Sequence, residues 1–510
     1  MVLGIIIGYF CFLLGLGIFG SRLLKLTSGD YFLASRGIGP FMLLMSIFGT
    51  TMTAFALVGS TGATYKLGIG IYGKMASWSG IVHSAVFFLI GAKVWAIGKE
   101  HGYMTQLSYL RDRYQSNSLP LVLFPILVGF VTVYILMGVM GGGAFLEALL
   151  GKDVEGTPNM PKWLGMLTIC GVVMFYVFWG GMRATAWANT IQTLVFMGTG
   201  VVAFYVITKG AGGVDSFFEA ASKATDAVAN SDASNRMTRA RIGKGEFATY
   251  FLIPLSVGMF PHLFQHWLTA KKASNFKLTV IAHPVCILIT WLPCCLIGMW
   301  AAGILPAETP SNAVLAIMVK RFSSSEVLRG ILGAGVLAAI MSSMDSQFLC
   351  ISSMFTNDIV VPHCGKDKYS EKQRVWMGRI FVVIVVAACY IIGLISNKSV
   401  FKIGVWCFSG FSSLVPIVVA ALYWKRSNRQ GVIASAVSVA VLWLGGLAFV
   451  FSDTLTEQVF GGKFLIAGLH PVTALISVST VVLIAVTLMT SPPDEGLVEK
   501  FFGAQDSESE

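Results

Sequence analysis

Long apolar stretches recur along the whole chain, and they restrict the fold more than any other feature of the sequence. About 13 such stretches carry few charges, and roughly 20 apolar residues suffice for a helix to cross a bilayer. They lie near residues 2–24, 40–63, 70–97, 119–150, 162–180, 185–208, 248–268, 277–304, 327–357, 376–397, 400–424, 430–451 and 466–489. Charged residues make up 12% of the chain, about half the share in soluble domains. The sequence therefore predicts an all-α polytopic membrane protein with about 13 transmembrane helices and excludes a water-soluble enzyme.

The basic residues of the short loops predict the orientation of the chain. Cytoplasmic loops are enriched in Lys and Arg. One set of alternate loops holds Arg22, Lys25, Arg36, Lys99, Arg111, Arg113, Lys271, Lys272, Lys277, Lys366, Lys368, Lys372, Arg374, Lys425, Arg426 and Arg429. We expect this set on the cytoplasmic side of the cell membrane, with the N-terminus outside and the C-terminus inside. The net charge of +11 is spread over these loops, so it indicates membrane topology and no nucleic-acid partner.

The order of spans and loops predicts a single transmembrane domain over residues 1–490. The first span, 2–24, lacks a basic leading region and a cleavage site, so we expect it to be retained. The longest loop, 209–247, is rich in Ala, Ser, Asp and Asn and is predicted to be an extracellular excursion with some amphipathic helix. The polar segment 491–510 is typical of a disordered cytoplasmic tail.

Enzymatic motifs are missing from the sequence. Neither HExxH nor a Walker phosphate-binding motif occurs, so zinc proteolysis and direct ATP coupling lack their usual physical basis. The nine cysteines include no CxxC pair and resemble small buried hydrophobes rather than metal ligands. We therefore predict that the protein is not an enzyme.

The second span contains small polar residues that can interrupt its helix. Gly49, Thr50, Thr51 and Thr53 follow one another closely within an apolar stretch. A break at this depth frees backbone carbonyls, which are tolerated only where they line a cavity or bind something such as Na⁺. Small residues also serve helix packing in membranes, and this span alone favours the packing interpretation.

The ninth span places hydroxyl groups on one helix face. Ala339, Ser342 and Ser343 are three and four residues apart, and hydroxyls with freed carbonyls are the ligands that a hard monovalent cation needs. Alternatively, the serines bond back to the preceding turn. Asp345 lies in the same polar cluster, and an ionisable group inside a span indicates a functional site. It could line an ion path, titrate with a coupling proton or pair with a basic residue.

Three segments, in this order, resemble the sodium:solute symporter family: Asp30–Gly37, Trp179–Gln192 and the Ser342-Ser343 helix. The segment Gly258–Ala270 is also similar to the family's seventh span. The resemblance covers residues 2 to about 450. It implies Na⁺-coupled import of a small polar solute by alternating access.

The resemblance also implies a fold. Family members have a five-plus-five inverted-repeat (LeuT-like) core with discontinuous helices, which here corresponds to about 40–424. An extra span precedes the core, and additional spans over about 430–489 follow it. By the family's pattern, Na⁺ is bound by the carbonyls of Gly49, Met52 and Ala339 and by the hydroxyls of Ser342 and Ser343, and all five positions carry compatible residues.

The solute pocket is implied by the same pattern. Thr51 and Thr53 lie just past the predicted break and map onto solute-contacting positions, with Met259 and Phe260 as further candidates. Thr51 stands where the proline-transporting branch has an aspartate, which argues against proline as the solute. The segment that begins at Phe260 resembles the branch that handles monocarboxylates and pantothenate more than the sugar branch. A half-helix N-terminus that faces the site would also favour a carboxylate.

Asn189 is the second departure from the family, because many members carry there an aspartate linked to an additional sodium or to coupling. Asn189 and Asp345 are therefore the candidates for coupling or a second cation, and we expect one Na⁺ per solute. The alternatives are a sugar or amino-acid symporter, or a passive permease or transport-like sensor. The expected partners are a small solute and the lipid bilayer, without an obligate protein partner.

Overall fold

Apolar helices dominate the computed structural model, which describes residues 1–22, 33–151, 159–365 and 368–506. In these ranges, ten helices are long and apolar enough to cross a membrane. They are Val2–Arg22, Gly70–His101, Ser118–Leu150, Lys162–Gly212, Asn275–Ile304, Glu326–Cys364, Glu371–Ile395, Val400–Tyr423, Arg429–Phe451 and Pro471–Met489. The last residues of the predicted first span and the beginning of the Asp30–Gly37 segment lie outside the described residues.

Two further spans are broken. Pro40–Thr51 and Phe55–Leu67 meet at 59°, and Lys244–Gly258 and Pro261–Leu268 meet at 52°. The first break is at Met52, whose backbone is extended, within the polar segment that predicted it. Pro261 does not interrupt a continuing helix but begins the second half-helix, where its fixed φ angle suits the first helical position.

The longest helix, Lys162–Gly212, contains two spans that meet at Gly181. The φ angle of Gly181 is +55° and its ψ angle is −164°, a backbone conformation that glycine adopts readily and other residues avoid. The predicted spans 162–180 and 185–208 are separated at this point. With the two broken pairs counted as one span each, the described residues contain thirteen spans, as predicted, and the broken ones are the second and the seventh.

Burial identifies the spans at the centre. In the most apolar 18-residue window of each helix, 78% of the residues are buried for the ninth span and 83% for the eleventh, against 28% for the first and the thirteenth. The broken helices pack against the ninth and eleventh spans. The polar residues of these elements are therefore enclosed by the others.

Loops that the sequence assigns to one side of the membrane contact one another. Arg36 donates to the backbone oxygen of Tyr103 at 2.7 Å, and Arg113 donates to that of Trp424 at 3.2 Å. We call this side, which also carries the C-terminus, the C-terminal face, and the opposite side the N-terminal face. The alternation of basic and less basic loops thus corresponds to two faces of the molecule.

The structure has helices in both the long loop and the tail. Phe217–Ala229 lies within the predicted excursion 209–247. The tail, predicted as disordered, differs from that expectation because Glu495–Asp506 is helical. Leu497, Phe501 and Phe502 are at most 6% exposed, so packing of these apolar side chains stabilises a helix that a polar composition does not indicate.

Candidate ion and solute sites

The first candidate site lies where the break in the second span meets the ninth span. The Ser342 hydroxyl is 2.8 Å from the backbone oxygen of Gly49 and 3.0 Å from that of Ala339. The Ser342 hydroxyl is therefore within hydrogen-bond distance of two other predicted sodium ligands, one of them on an element almost 300 residues away in sequence. Two carbonyls and a hydroxyl that converge in this way are suited to bind a small hard cation.

Gly49 owes its position to close packing against the sixth span. A Cβ atom at this position would lie 2.4 Å from the hydroxyl oxygen of Thr193. Thr193 in turn donates to the backbone oxygen of Met45 at 3.0 Å. Only a residue without a side chain lets the broken helix approach the sixth span this closely. In this position the carbonyl of Gly49 lies against Ser342 of the ninth span.

The other two predicted ligands, Met52 and Ser343, make contacts different from those of Ser342. Met52 lies at the break with φ −87° and ψ 111°. The hydroxyl of Ser343, 1% exposed, donates to the backbone oxygen of Ile340 at 3.0 Å. Ser343 thus forms the bond to its own helix that serines in spans commonly make, and this bond leaves the lone pairs of its oxygen available.

Asp345 is the centre of a buried polar network one turn further along the ninth span. Its carboxylate accepts from the Tyr176 hydroxyl at 3.0 Å and lies 3.0 Å from the Ser346 hydroxyl. In the amide orientation that satisfies all its partners, Asn189 donates to both carboxylate oxygens, at 3.1 and 2.8 Å, and to the backbone oxygen of Ser342 at 3.0 Å. Asn189 and Asp345, the two candidates for coupling or a second cation, are therefore in direct contact beside the candidate ion site.

The network continues to the seventh span through His266. Its Nε2 atom is 3.0 Å from the Ser346 hydroxyl, and its Nδ1 atom is 2.9 Å from the hydroxyl of Ser46. Ser46 belongs to the first half of the broken second span. The second half-helix of the seventh span is thus connected by hydrogen bonds to both the ninth and the second spans.

A narrow cavity adjoins the two breaks. It is lined by Thr51, Phe55, Ser79, His83, Tyr134, Tyr250, Ile253, Pro254, Ser256, Val257, Phe260, Trp291 and Phe408. The cavity has a volume of about 30 Å³, enough for about two water molecules. We call it the central cavity. A solute of several heavy atoms needs more room, so the site is closed around its aromatic walls in this conformation.

The structure separates the four predicted solute residues into two pairs. Thr51 and Phe260 line the central cavity, and the Thr51 hydroxyl donates to the backbone oxygen of Phe48 at 2.9 Å. Thr53 instead accepts from the backbone N–H of Phe55 at 2.9 Å and thereby caps the second half-helix. The sulfur of Met259 accepts from the Gln106 amide at 3.2 Å, on the side of the C-terminal face.

Sequence reasoning did not single out His83 and Trp291, which also line the central cavity. They are 6% and 3% exposed. Within the described part of the chain, His83 Nδ1 and Trp291 Nε1 have no hydrogen-bond partner, so they are available to polar atoms of a solute. The signal that could have found His83 is an ionisable residue near the middle of the apolar third span, with Lys74 and Lys93 towards the two ends of that span.

A second cavity lies towards the N-terminal face. It has a volume of about 250 Å³, and its walls include Phe401, Trp406 and Phe464, with Lys74 and Glu246 as a buried ion pair. The Phe401 ring stacks on that of Phe55, with centroids 5.2 Å apart and planes 8° apart. Because Phe55 lines the central cavity, this stacked pair lies between the two cavities.

Comparison with known proteins identifies the family. The model of the sodium:solute symporter family matches residues 31–438, about four fifths of the chain. This chain belongs to the sodium:solute symporter family. Among its curated relatives are the sodium/proline symporters of Staphylococcus aureus strains RF122 and JH9, each 25% identical over 509 residues, with 95% of this chain and 92% of the relative covered.

Solved structures of other symporters share the fold. A Na⁺-coupled sialic acid symporter in a substrate-bound outward-open state superimposes with a TM-score of 0.73 at 17% identity, covering 97% of this chain and 98% of the other. A nucleobase-cation-symport-1 family transporter in a closed conformation superimposes with a TM-score of 0.55 at 13% identity, covering 94% and 99%. These likenesses confirm the LeuT-like architecture with discontinuous helices. Its membership of the sodium:solute symporter family makes the protein a polytopic Na⁺-coupled solute symporter.

Proposed function

We propose that this symporter binds one Na⁺ at the break in the second span, through the carbonyls of Gly49, Met52 and Ala339 and the hydroxyls of Ser342 and Ser343. The observation that supports the site most directly is the Ser342 hydroxyl, which lies within 3.0 Å of two of these carbonyls on different helices. An ion here holds the second and ninth spans together. Alternating access requires these two elements to separate, so ion occupancy controls that step.

The surroundings of Asp345 support a single ion. Its carboxylate is hydrogen-bonded by the neutral groups of Tyr176, Ser346 and Asn189, and position 189 offers an amide dipole instead of a charge. We propose that Asp345 organises this network and that one Na⁺ accompanies each solute.

The solute binds in a widened central cavity, with Thr51 and Phe260 in contact with it. We propose a small organic anion such as a monocarboxylate or pantothenate. The Trp291 N–H, which can only donate, suits an acceptor oxygen of the solute, and so does His83 Nδ1 in the tautomer that carries its proton there. The aromatic walls suit a short carbon chain. The positive end of the half-helix that begins at Pro261 adds favourable charge.

An amino acid is the second candidate. The curated relatives are named sodium/proline symporters, and they cover nearly the whole chain. Thr51 argues against proline itself as the solute, because the family resemblance implies an aspartate at this position in the proline-transporting branch. A sugar is the third candidate.

Orientation and location complete the proposal. We propose that the C-terminal face, which carries the basic loops, lies in the cytoplasm, because cytoplasmic loops are enriched in Lys and Arg. We place the N-terminus outside, in the plasma or inner membrane of the cell, and the direction of transport inward along the sodium gradient.

The test is uptake into proteoliposomes under an imposed Na⁺ gradient. The panel contains monocarboxylates, pantothenate, proline, other amino acids and sugars, each with and without a sodium ionophore. We expect accumulation of a carboxylate above its external concentration, abolished by the ionophore and weakened in Ser342→Ala. The matched control is Ser413→Ala, whose buried hydroxyl donates to the backbone oxygen of Ser409 in its own helix at 2.5 Å.

Two outcomes contradict the proposal. Equilibration without accumulation, insensitive to the ionophore, identifies a passive permease. If an amino acid or a sugar accumulates but no monocarboxylate or pantothenate does, the symport mechanism stands and the proposed solute is wrong.

A further inference from the structure

The helix at the C-terminus, Glu495–Asp506, which we call the tail helix, is fixed to the C-terminal face by apolar and charged contacts. Leu497, Phe501 and Phe502 are 5%, 6% and 4% exposed. Lys500 forms an ion pair with Asp112 at 2.7 Å, and Asp112 also accepts from the Tyr103 hydroxyl. A segment this close to the end of a chain is ordinarily mobile unless it is tied down, so the contacts define a docking surface.

The surface that receives the tail helix is the loop helix Gln106–Arg113, between the third and fourth spans. The Phe501 ring centroid lies 6.2 Å from that of Tyr109 and 5.4 Å from that of His101. The guanidinium of Arg113 lies 5.9 Å from the Phe501 ring and 5.1 Å from the Phe502 ring. Cations over aromatic rings attract them most strongly where water is excluded, and Arg113 is fully buried.

The loop helix in turn contacts the elements that must move for the C-terminal face to open. Tyr109 stacks on Phe264 of the second half-helix of the seventh span, with centroids 6.2 Å apart. Thr105 donates to Asp358, near the end of the ninth span, at 2.8 Å. Arg113 donates to the backbone oxygen of Ala421 in the eleventh span at 3.1 Å. The loop helix therefore connects three spans of the core, and the tail helix covers it.

We propose that the tail helix is a latch whose docking on the loop helix holds the C-terminal face closed. Its partner is a surface of its own chain, and its release lowers the cost of moving the second half-helix of the seventh span away from the ninth and eleventh spans. The latch thereby sets how often the symporter opens towards this face. The proposal goes beyond the assignment of ion and solute and does not depend on either.

Hydrogen–deuterium exchange of the full-length protein in nanodiscs tests the latch without transport. The peptides followed cover residues 106–113, 261–268 and 495–502. Lys500→Glu places a negative charge against Asp112, and we expect exchange of all three peptides to rise about fivefold. Phe501→Ala with Phe502→Ala should raise it roughly tenfold or more. Lys372→Glu, an exposed lysine on the same face, is the matched control and should change none of them.

The same variants in proteoliposomes give the functional readout. Faster opening of the C-terminal face should raise the rate of solute exchange across the membrane in the latch variants and leave the control unchanged. Release of residues 495–502 without faster exchange in 261–268 would overturn the proposal, because the tail would then cover the loop helix without restraining the core. Rapid exchange of 495–502 in the unmodified protein would overturn it as well. Failure of all solutes to be transported would contradict the proposed function but leave the exchange result valid.

Discussion

Replacement of Ser342 by Ala tests the ion site most sharply. The substitution removes a hydroxyl oxygen that lies 2.8 Å from the Gly49 carbonyl oxygen and 3.0 Å from that of Ala339. A buried polar partner lost in this way costs about 1–3 kcal/mol, so the Na⁺ concentration for half-maximal uptake should rise roughly 5- to 150-fold. Replacement of Ser343 in addition should raise it further, because a second oxygen ligand is lost.

The assay has two parts, since Ser342 also connects two helices in the absence of an ion. Uptake at increasing Na⁺ gives the half-saturating concentration, and thermal unfolding with and without Na⁺ gives the stabilisation that the ion contributes. Ser413→Ala should leave both quantities unchanged. If Ser342→Ala retained the half-saturating concentration and the Na⁺-dependent rise in Tm of the unmodified protein, the assignment of the site would be refuted.

Three other predictions follow from individual contacts. Thr51→Val should raise the solute concentration for half-maximal uptake, whereas Thr53→Val should mainly lower Tm, because it removes a helix cap that contributes about 1 kcal/mol; equal effects on solute affinity would contradict this division. With one Na⁺ per solute, the ratio of Na⁺ flux to solute flux into liposomes should be the same in the unmodified protein and in Asp345→Asn, and a ratio of two that falls to one would contradict the stoichiometry. Burial alone would raise the pKa of the Asp112 carboxyl. The hydrogen bonds from Lys500 and Tyr103 outweigh burial and hold this pKa below its ordinary value of 3.8. The Asp112 carboxylate therefore stabilises docking of the tail helix at pH values above 3.8, and this stabilisation is lost as the pH falls through the lowered pKa. The rate of proteolysis of the tail should be constant between about pH 8 and 5 and increase only in stronger acid.

The sequence was sufficient to predict the features that depend on local pattern. Spans were located because apolar length is a property of consecutive residues. The break at Met52 also required the resemblance to the family, because the small polar residues around it, taken alone, favour helix packing. The convergence of Ser342 with Gly49 was predicted through the resemblance to the family, since the two residues are almost 300 positions apart.

Features that depend on packing between distant segments were not predictable from the sequence. Thr51 and Thr53 look equivalent in sequence, but the bend at Met52 turns one towards the cavity and the other onto the backbone of Phe55. The contact between Asn189 and Asp345 requires the relative rotation of two spans. The tail was predicted as disordered because its composition is polar, although Leu497 and Phe501 are four residues apart and lie on one helix face.

The stacked rings of Phe55 and Phe401 have a consequence for how tightly the protein can seal the membrane. An aromatic pair contributes about 0.5–1.5 kcal/mol beyond the burial of its area, and parting the rings would also expose part of Phe55, which is 4% exposed. This part of the seal therefore rests on the packing of two side chains against each other. Rotation of either ring would join the two cavities, so the symporter depends on its opposite face as well to keep solute from leaking through.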